Sequence, residues 1–169
     1  AAVYVRRDGH WLLDRVTDEE IPAVKSHYEQ LKELEWLIGS WVDEGDGTRI
    51  VTDCGWTRNK TFITRSFTVS IEDRIDMAGM QIIGWDAADK QVRSWTFDSD
   101  GGFAEGTWTK KADRWLIRKS GVLADGSRAS SFNILRYLND DAFTIQSVQR
   151  TVEGEILPNI DEIRVVRVQ

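Results

Sequence analysis

From Ser40 onward the chain repeats one pattern about every ten residues: a β-rich run closed by a turn signal. Ser40 to Glu44 meets Gly45-Asp46-Gly47 and gives way to Thr48 to Thr57. Phe62 to Glu72 leads through Glu72-Asp73 into Arg74 to Trp85, and "DAADK" turns the chain into Gln91 to Asp98. "SDGG" opens Phe103 to Lys110, "KADR" opens Trp115 to Leu123, and "ADGS" opens Arg128 to Leu138. "NDD" opens Phe143 to Val152, "EGE" follows, and Ile160 to Val168 closes the series. A meander of about ten strands must close as a barrel or split into two sheets, and the lack of long crossovers disfavours a Greek-key sandwich. Closure also removes the exposed edges of an open meander. The expected class is all-β, an antiparallel up-and-down barrel of about ten strands.

Two elements precede it. In "AAVYVRRDGHWLLDRV", Val3 and Val5 alternate with Tyr4 and Arg6, Asp8-Gly9 is a strong turn pair, and Trp11 to Val16 runs back. That reads as a leading hairpin. It lacks the basic start and apolar core of a signal peptide, and a chain that begins inside a strand reads as part of something longer. Next, Thr17 and Glu20 have capping-box spacing, with Pro22 against a regular start. Val24, Tyr28, Leu31, Leu34 and Leu37 recur at helical spacing and Gly39 supplies a stop, which predicts one N-terminal amphipathic helix from Val24 to Leu37. The expected organisation is a hairpin at 1–16, helix and linker at 17–39, and barrel at 40–169.

Gly39-Ser40-Trp41 stands where that helix enters the first barrel strand. A Gly-x-Trp in this place resembles the lipocalin and wider calycin pattern. The resemblance implies that Trp41 plugs one barrel end beneath an arginine of the last strand, for which Arg164 and Arg167 in "IRVVRV" are the candidates. The whole chain is similar to bacterial two-domain proteins that join a SnoaL-like α+β domain, of the polyketide-cyclase or ketosteroid-isomerase-like kind, to a calycin-like C-terminal barrel. "VYVRRDGHWLLDRV" resembles the last hairpin of the first domain. "LEWLIGSWV", "IIGWD", "FDSDGGFAEGTW" and "QSVQR" resemble the second. No catalytic residue of the SnoaL-like domain carries over, since only its hairpin is present.

Composition narrows the function classes. A formal net charge of −6 without a Lys/Arg cluster argues against nucleic acid as a partner. No apolar run approaches the eighteen or so residues of a membrane span. Cys54 is the single cysteine, and His10 and His27 are the only histidines, so neither a disulfide nor a zinc site is expected. No cofactor is expected either, because "GMQIIGWD" and "GSW" do not form a phosphate-cradling loop. Cys54 reads as a small packed residue rather than a nucleophile.

Candidate site residues come from strand parity. Phe103, Glu105 and Thr107 share one face of their strand, and Ala104, Gly106 and Trp108 share the other. If Trp108 is core, Glu105 is solvated; if Trp108 is outside, Glu105 is interior. An interior Glu105, with Asp98 and Asp100 just before the hairpin, would be the catalytic carboxylate candidate. In "TFITRSFTVSI" the aliphatic face is the expected core face, which leaves Arg65 buried and in need of an acid. Trp95, Phe103, Arg118, Asn133 and Gln146 join Arg65 as ligand-binding candidates. The eight tryptophans hold the barrel together and can line a cavity.

The first expected function is binding of a small apolar or aromatic ligand inside the barrel. The second is metal-independent hydrolysis or isomerisation by the barrel carboxylates with an arginine such as Arg65. The third is an accessory or dimerisation domain of a larger protein, and a homodimer is the candidate assembly. A dry apolar cavity favours the first, a wet polar one around Glu105 the second, and a filled barrel the third.

Overall fold

Asp8 and Gly9 take φ of 50° and 85°, as a type I′ turn requires. They join β1 (Ala2–Arg7) to β2 (His10–Val16) as an antiparallel pair. The computed structural model describes residues 2–16, 26–45, 47–72 and 74–168. The Thr17/Glu20 spacing, Pro22 and Val24 lie outside these.

A continuous amphipathic α-helix to Leu37 does not form. The chain makes one α-helical turn, α1 (Tyr28–Leu31), and continues as a 3₁₀ helix over Lys32–Leu37. The reason lies in the spacing of Leu31, Leu34 and Leu37. Steps of three stack on one line at three residues per turn, whereas an α-helix rotates each by about 60°. All three leucines are buried. Gly39, at φ 124°, then turns the backbone into the first barrel strand.

That strand is β3 (Gly39–Gly45). It is followed by β4 (Thr48–Trp56), β5 (Phe62–Ile71), β6 (Arg74–Asp86), β7 (Gln91–Asp98) and β8 (Phe103–Lys111). The meander continues through β9 (Arg114–Val122), β10 (Arg128–Asn139) and β11 (Ala142–Val152), then the two-residue β12 (Glu155–Ile156), and ends at β13 (Ile160–Arg167). Each neighbour is antiparallel. β10 pairs with β11, β11 with β13, and β13 with β3, so ten strands close into a barrel while β12 pairs only with the end of β11. The β13–β3 seam is short, with the register pairs Val166↔Val42 and Arg167↔Trp41.

Alternation sends Trp41, Ile63, Ile83, Trp108, Ile117 and Leu135 inward. The barrel end beneath the 3₁₀ helix is filled: Phe143 packs edge-on against Trp41 at 4.9 Å and Trp36 at 5.3 Å between ring centroids. Of the two arginines considered for the last strand, Arg167 covers Trp41 and Arg164 is exposed.

Candidate functional site

Above the aromatic plug the barrel is not filled. A cavity of about 250 Å³ remains, the share of about eight liquid waters at ~30 Å³ each. Its wall is mostly apolar, with Phe67 and Val69 from β5, Met77 and Ile83 from β6, and Trp108 and Ile117 from β8 and β9. Leu37 and Trp41 form its floor, and a second depression at the open end shares Asp98 and Lys119 with it.

The polar part of the wall has two regions. On β6 and β7, Gln81 Nε2 donates to Ser94 Oγ (3.3 Å) and Thr96 Oγ1 (3.2 Å), and Trp108 Nε1 donates to Ser94 Oγ (2.9 Å). Gly106 on β8 makes room for this network, since a β-carbon there would stand 2.6 Å from Ser94 Oγ. These groups satisfy one another, as buried polar groups must.

The second region is ionic, and its cations lack an ion-pair partner among the described residues. Arg65 on β5 and Lys119 on β9 both line the cavity. Their strands lie four steps apart in the ten-strand ring, nearly opposite. The half-buried Arg65 guanidinium faces the cavity, where its contacts are a long hydrogen bond from Nη2 to Thr52 Oγ1 (3.4 Å) and the face of Phe67 at 5.4 Å. It makes no ion pair within the described residues. Desolvation lowers its proton affinity, opposed by the Cys54 thiol and Asp43. Lys119 has no hydrogen-bond or ion-pair partner among the described residues. Burial lowers its pKa, Asp98 works against that, and the charge of Arg65 adds to it. Asp98, at the mouth, is pushed upward by burial and by Asp100.

The sequence candidates therefore separate into two groups. Arg65, Asn133 and Asp98 line the cavity. Glu105 does not: Trp108 is core, so the opposite parity carries Glu105 to the outer face, where it is exposed and paired with Arg93. Trp95 lies on that outer face beside Arg93, Phe103 is half exposed there, and Arg118 is exposed beside Phe132. Gln146 alternates with the cavity residue Ile145 and points away. Asp100 sits in the turn, where its carboxylate accepts from the Gly102 N–H at 2.9 Å. The sequence reading missed Gln81, Ser94 and Thr96 in one polar region of the wall and Lys119 in the other. The parity of Lys119 is that of Trp115 and Ile117, both buried, whereas Arg118 shares the phase of Leu116.

Among the described residues no group of three or more His, Cys, Asp and Glu side chains could hold a metal ion, and no helix is long and apolar enough to cross a membrane. The chain matches no family model and no curated protein. Among solved structures it is similar to Rv2717c from M. tuberculosis, with a TM-score of 0.60 and 13% identity over 83% of this chain and 98% of that one. At that identity the likeness is one of fold, and it agrees with the closed antiparallel barrel described above.

Proposed function

We propose that this protein is a binding barrel for a small apolar or aromatic organic molecule, which enters at the open end and rests on Trp41 and Leu37. The observation that carries this reading is the cavity itself. It is concave, mostly apolar, and equipped with a few convergent polar groups, which is the usual make-up of a small-molecule site. The reading extends to ancestry: Gly39-Ser40-Trp41 with Arg167 above the indole supports a calycin-like barrel, and the separate β1–β2 hairpin is consistent with the tail of a SnoaL-like domain.

Asp98 supports a second reading. A carboxyl held toward its protonated form at a cavity mouth, beside Lys119, has the make-up of a general acid for a metal-independent hydrolase or isomerase. Glu105 plays no part in it from the outer face.

Native mass spectrometry of gently purified protein, against its denatured mass, tests the first reading. A discrete non-covalent adduct is the expected result. A bare protein that also fails to retain any of a panel of small aromatic and aliphatic compounds would overturn it. Turnover of a bound compound, lost in Asp98→Asn, would favour the second.

A further inference from the structure

We infer that the ligand of this cavity carries a single anionic head group, a carboxylate, sulfonate or phosphate ester, bound by Arg65 and Lys119; this rests on the cavity being a ligand site. Two cations line an apolar cavity, and only one lining residue, Asp98, carries a carboxylate. A charge taken from water into such surroundings needs a partner. Arg65 finds only one long hydrogen bond and a phenyl face, and Lys119 finds no hydrogen bond or ion pair among the described residues.

The nearby carboxylates act on the two cations but form no ion pair with either among the described residues. Asp43 acts on Arg65 without forming an ion pair with it. Asp98, at the mouth, acts on Lys119 without forming an ion pair with it. Cys54, also in the wall, keeps its proton. An incoming anion supplies the missing charge and gives the guanidinium fork a two-oxygen acceptor. A neutral carbonyl or hydroxyl could accept the same hydrogen bonds but would leave both cations without an ion-pair partner. Asn133, also in the wall, adds an amide donor, while the body of the ligand meets Phe67, Ile83 and Trp108.

The test uses a matched pair of fluorescent probes, 1-anilinonaphthalene-8-sulfonate and its uncharged parent N-phenyl-1-naphthylamine, titrated into the full chain. A charged hydrogen bond of ordinary strength predicts that the sulfonate binds about tenfold or more tightly than the parent. Arg65→Met removes the charge but keeps an apolar stem. It should weaken the sulfonate by about the same factor while leaving the parent unchanged. Lys119→Met should act in the same direction, and Arg65→Lys should restore part of the preference; near-UV circular dichroism confirms each variant's packing. Equal affinity of the two probes for the natural chain would overturn the anionic head and leave the binding cavity standing. So would a sulfonate affinity untouched by both Arg65→Met and Lys119→Met. Failure of both probes to bind would overturn this inference together with the binding reading.

Discussion

The guanidinium of Arg167 lies 4.1 Å above the ring of Trp41, joining the last strand to the first at the barrel's shortest seam. Its three nitrogens each donate to a carbonyl: Nη1 to Ile38 (2.7 Å), Nη2 to Trp36 (3.0 Å) and Nε to Asp140 (2.7 Å). Trp41 Nε1 in turn donates to the Leu37 carbonyl at 2.7 Å. One side chain thus fastens the 3₁₀ helix, the β13 end and the barrel floor together.

Removing that clamp should be costly. Hydrogen bonds to charged groups contribute about 1.5–3 kcal/mol each and are not additive, so Arg167→Ala should lose about 3 kcal/mol or more in urea denaturation. Arg167→Lys should recover less than half, because an ammonium cannot reproduce a planar fork over an indole. A lysine variant as stable as the natural chain would show that the fork geometry does not matter.

Gly39 tests the same clamp from the other side. At φ 124° it holds a conformation that L side chains rarely adopt, and an added β-carbon would overlap Arg167 Nη1. Gly39→Ala should therefore destabilise by about 2 kcal/mol or more. In an Arg167→Ala background part of that cost should disappear, because the clash is gone and only the backbone strain remains. Full additivity in the double-mutant cycle would mean that the two residues do not meet.

Cys54 should be inert while the protein is folded. It is buried, and desolvation pushes its thiol from 9.0 up to about 11, with Arg65 offsetting only part of the effect. At pH 8 about one molecule in a thousand then carries the thiolate. Reaction with Ellman's reagent should be slow in buffer and rapid in guanidinium chloride. The folded thiol holds its proton more tightly than the unfolded one, so the associated stability is intact below pH 9 and lost as pH rises from 9 to about 11. The natural chain should show this slope relative to Cys54→Ala; identical profiles would contradict the buried, protonated thiol.

Glu105→Gln separates the outer face from the cavity. The Glu105 carboxylate is more than half exposed, and its partner Arg93 keeps a second acid, Asp86, at 3.3 Å. The variant should change stability by no more than about 0.5 kcal/mol and leave probe binding unaltered. A large loss of ligand affinity would mean that the outer wall takes part in the site.

Strand placement was legible because its signals are local. Turn residues and alternation set the bounds of β7 at Gln91–Asp98 and of the other long strands to within one residue. β12 was not legible, since two residues carry no periodicity. The leucine spacing was read as α-helical, although steps of three suit 3₁₀ geometry better. The interior cation on β9 was misassigned for a different reason. "RWLIRKSG" is apolar on both parities, with Trp115 and Ile117 on one and Leu116 on the other, so either Arg118 or Lys119 could be interior. Register resolves it: Trp108 opposes Ile117, which places both inside and Lys119 with them. Arg65 was legible because Ile63 and Phe67, two residues away on either side, are apolar and fix the phase. Asn133 has Ser131 and Leu135 there instead, and register with Ile117 places it inside.

The central claim is that ligand occupies the barrel interior, and the indole N–H resonances of the tryptophans report on it directly. Trp41 and Trp108 line the cavity, whereas Trp95 sits on the outer wall and Trp11 on the leading hairpin. In a ¹H–¹⁵N spectrum recorded as 1-anilinonaphthalene-8-sulfonate is added, the Trp41 and Trp108 signals should shift and saturate together while those of Trp11 and Trp95 stay in place. Movement of the Trp11 and Trp95 signals alone would place the probe on the surface and contradict an interior site.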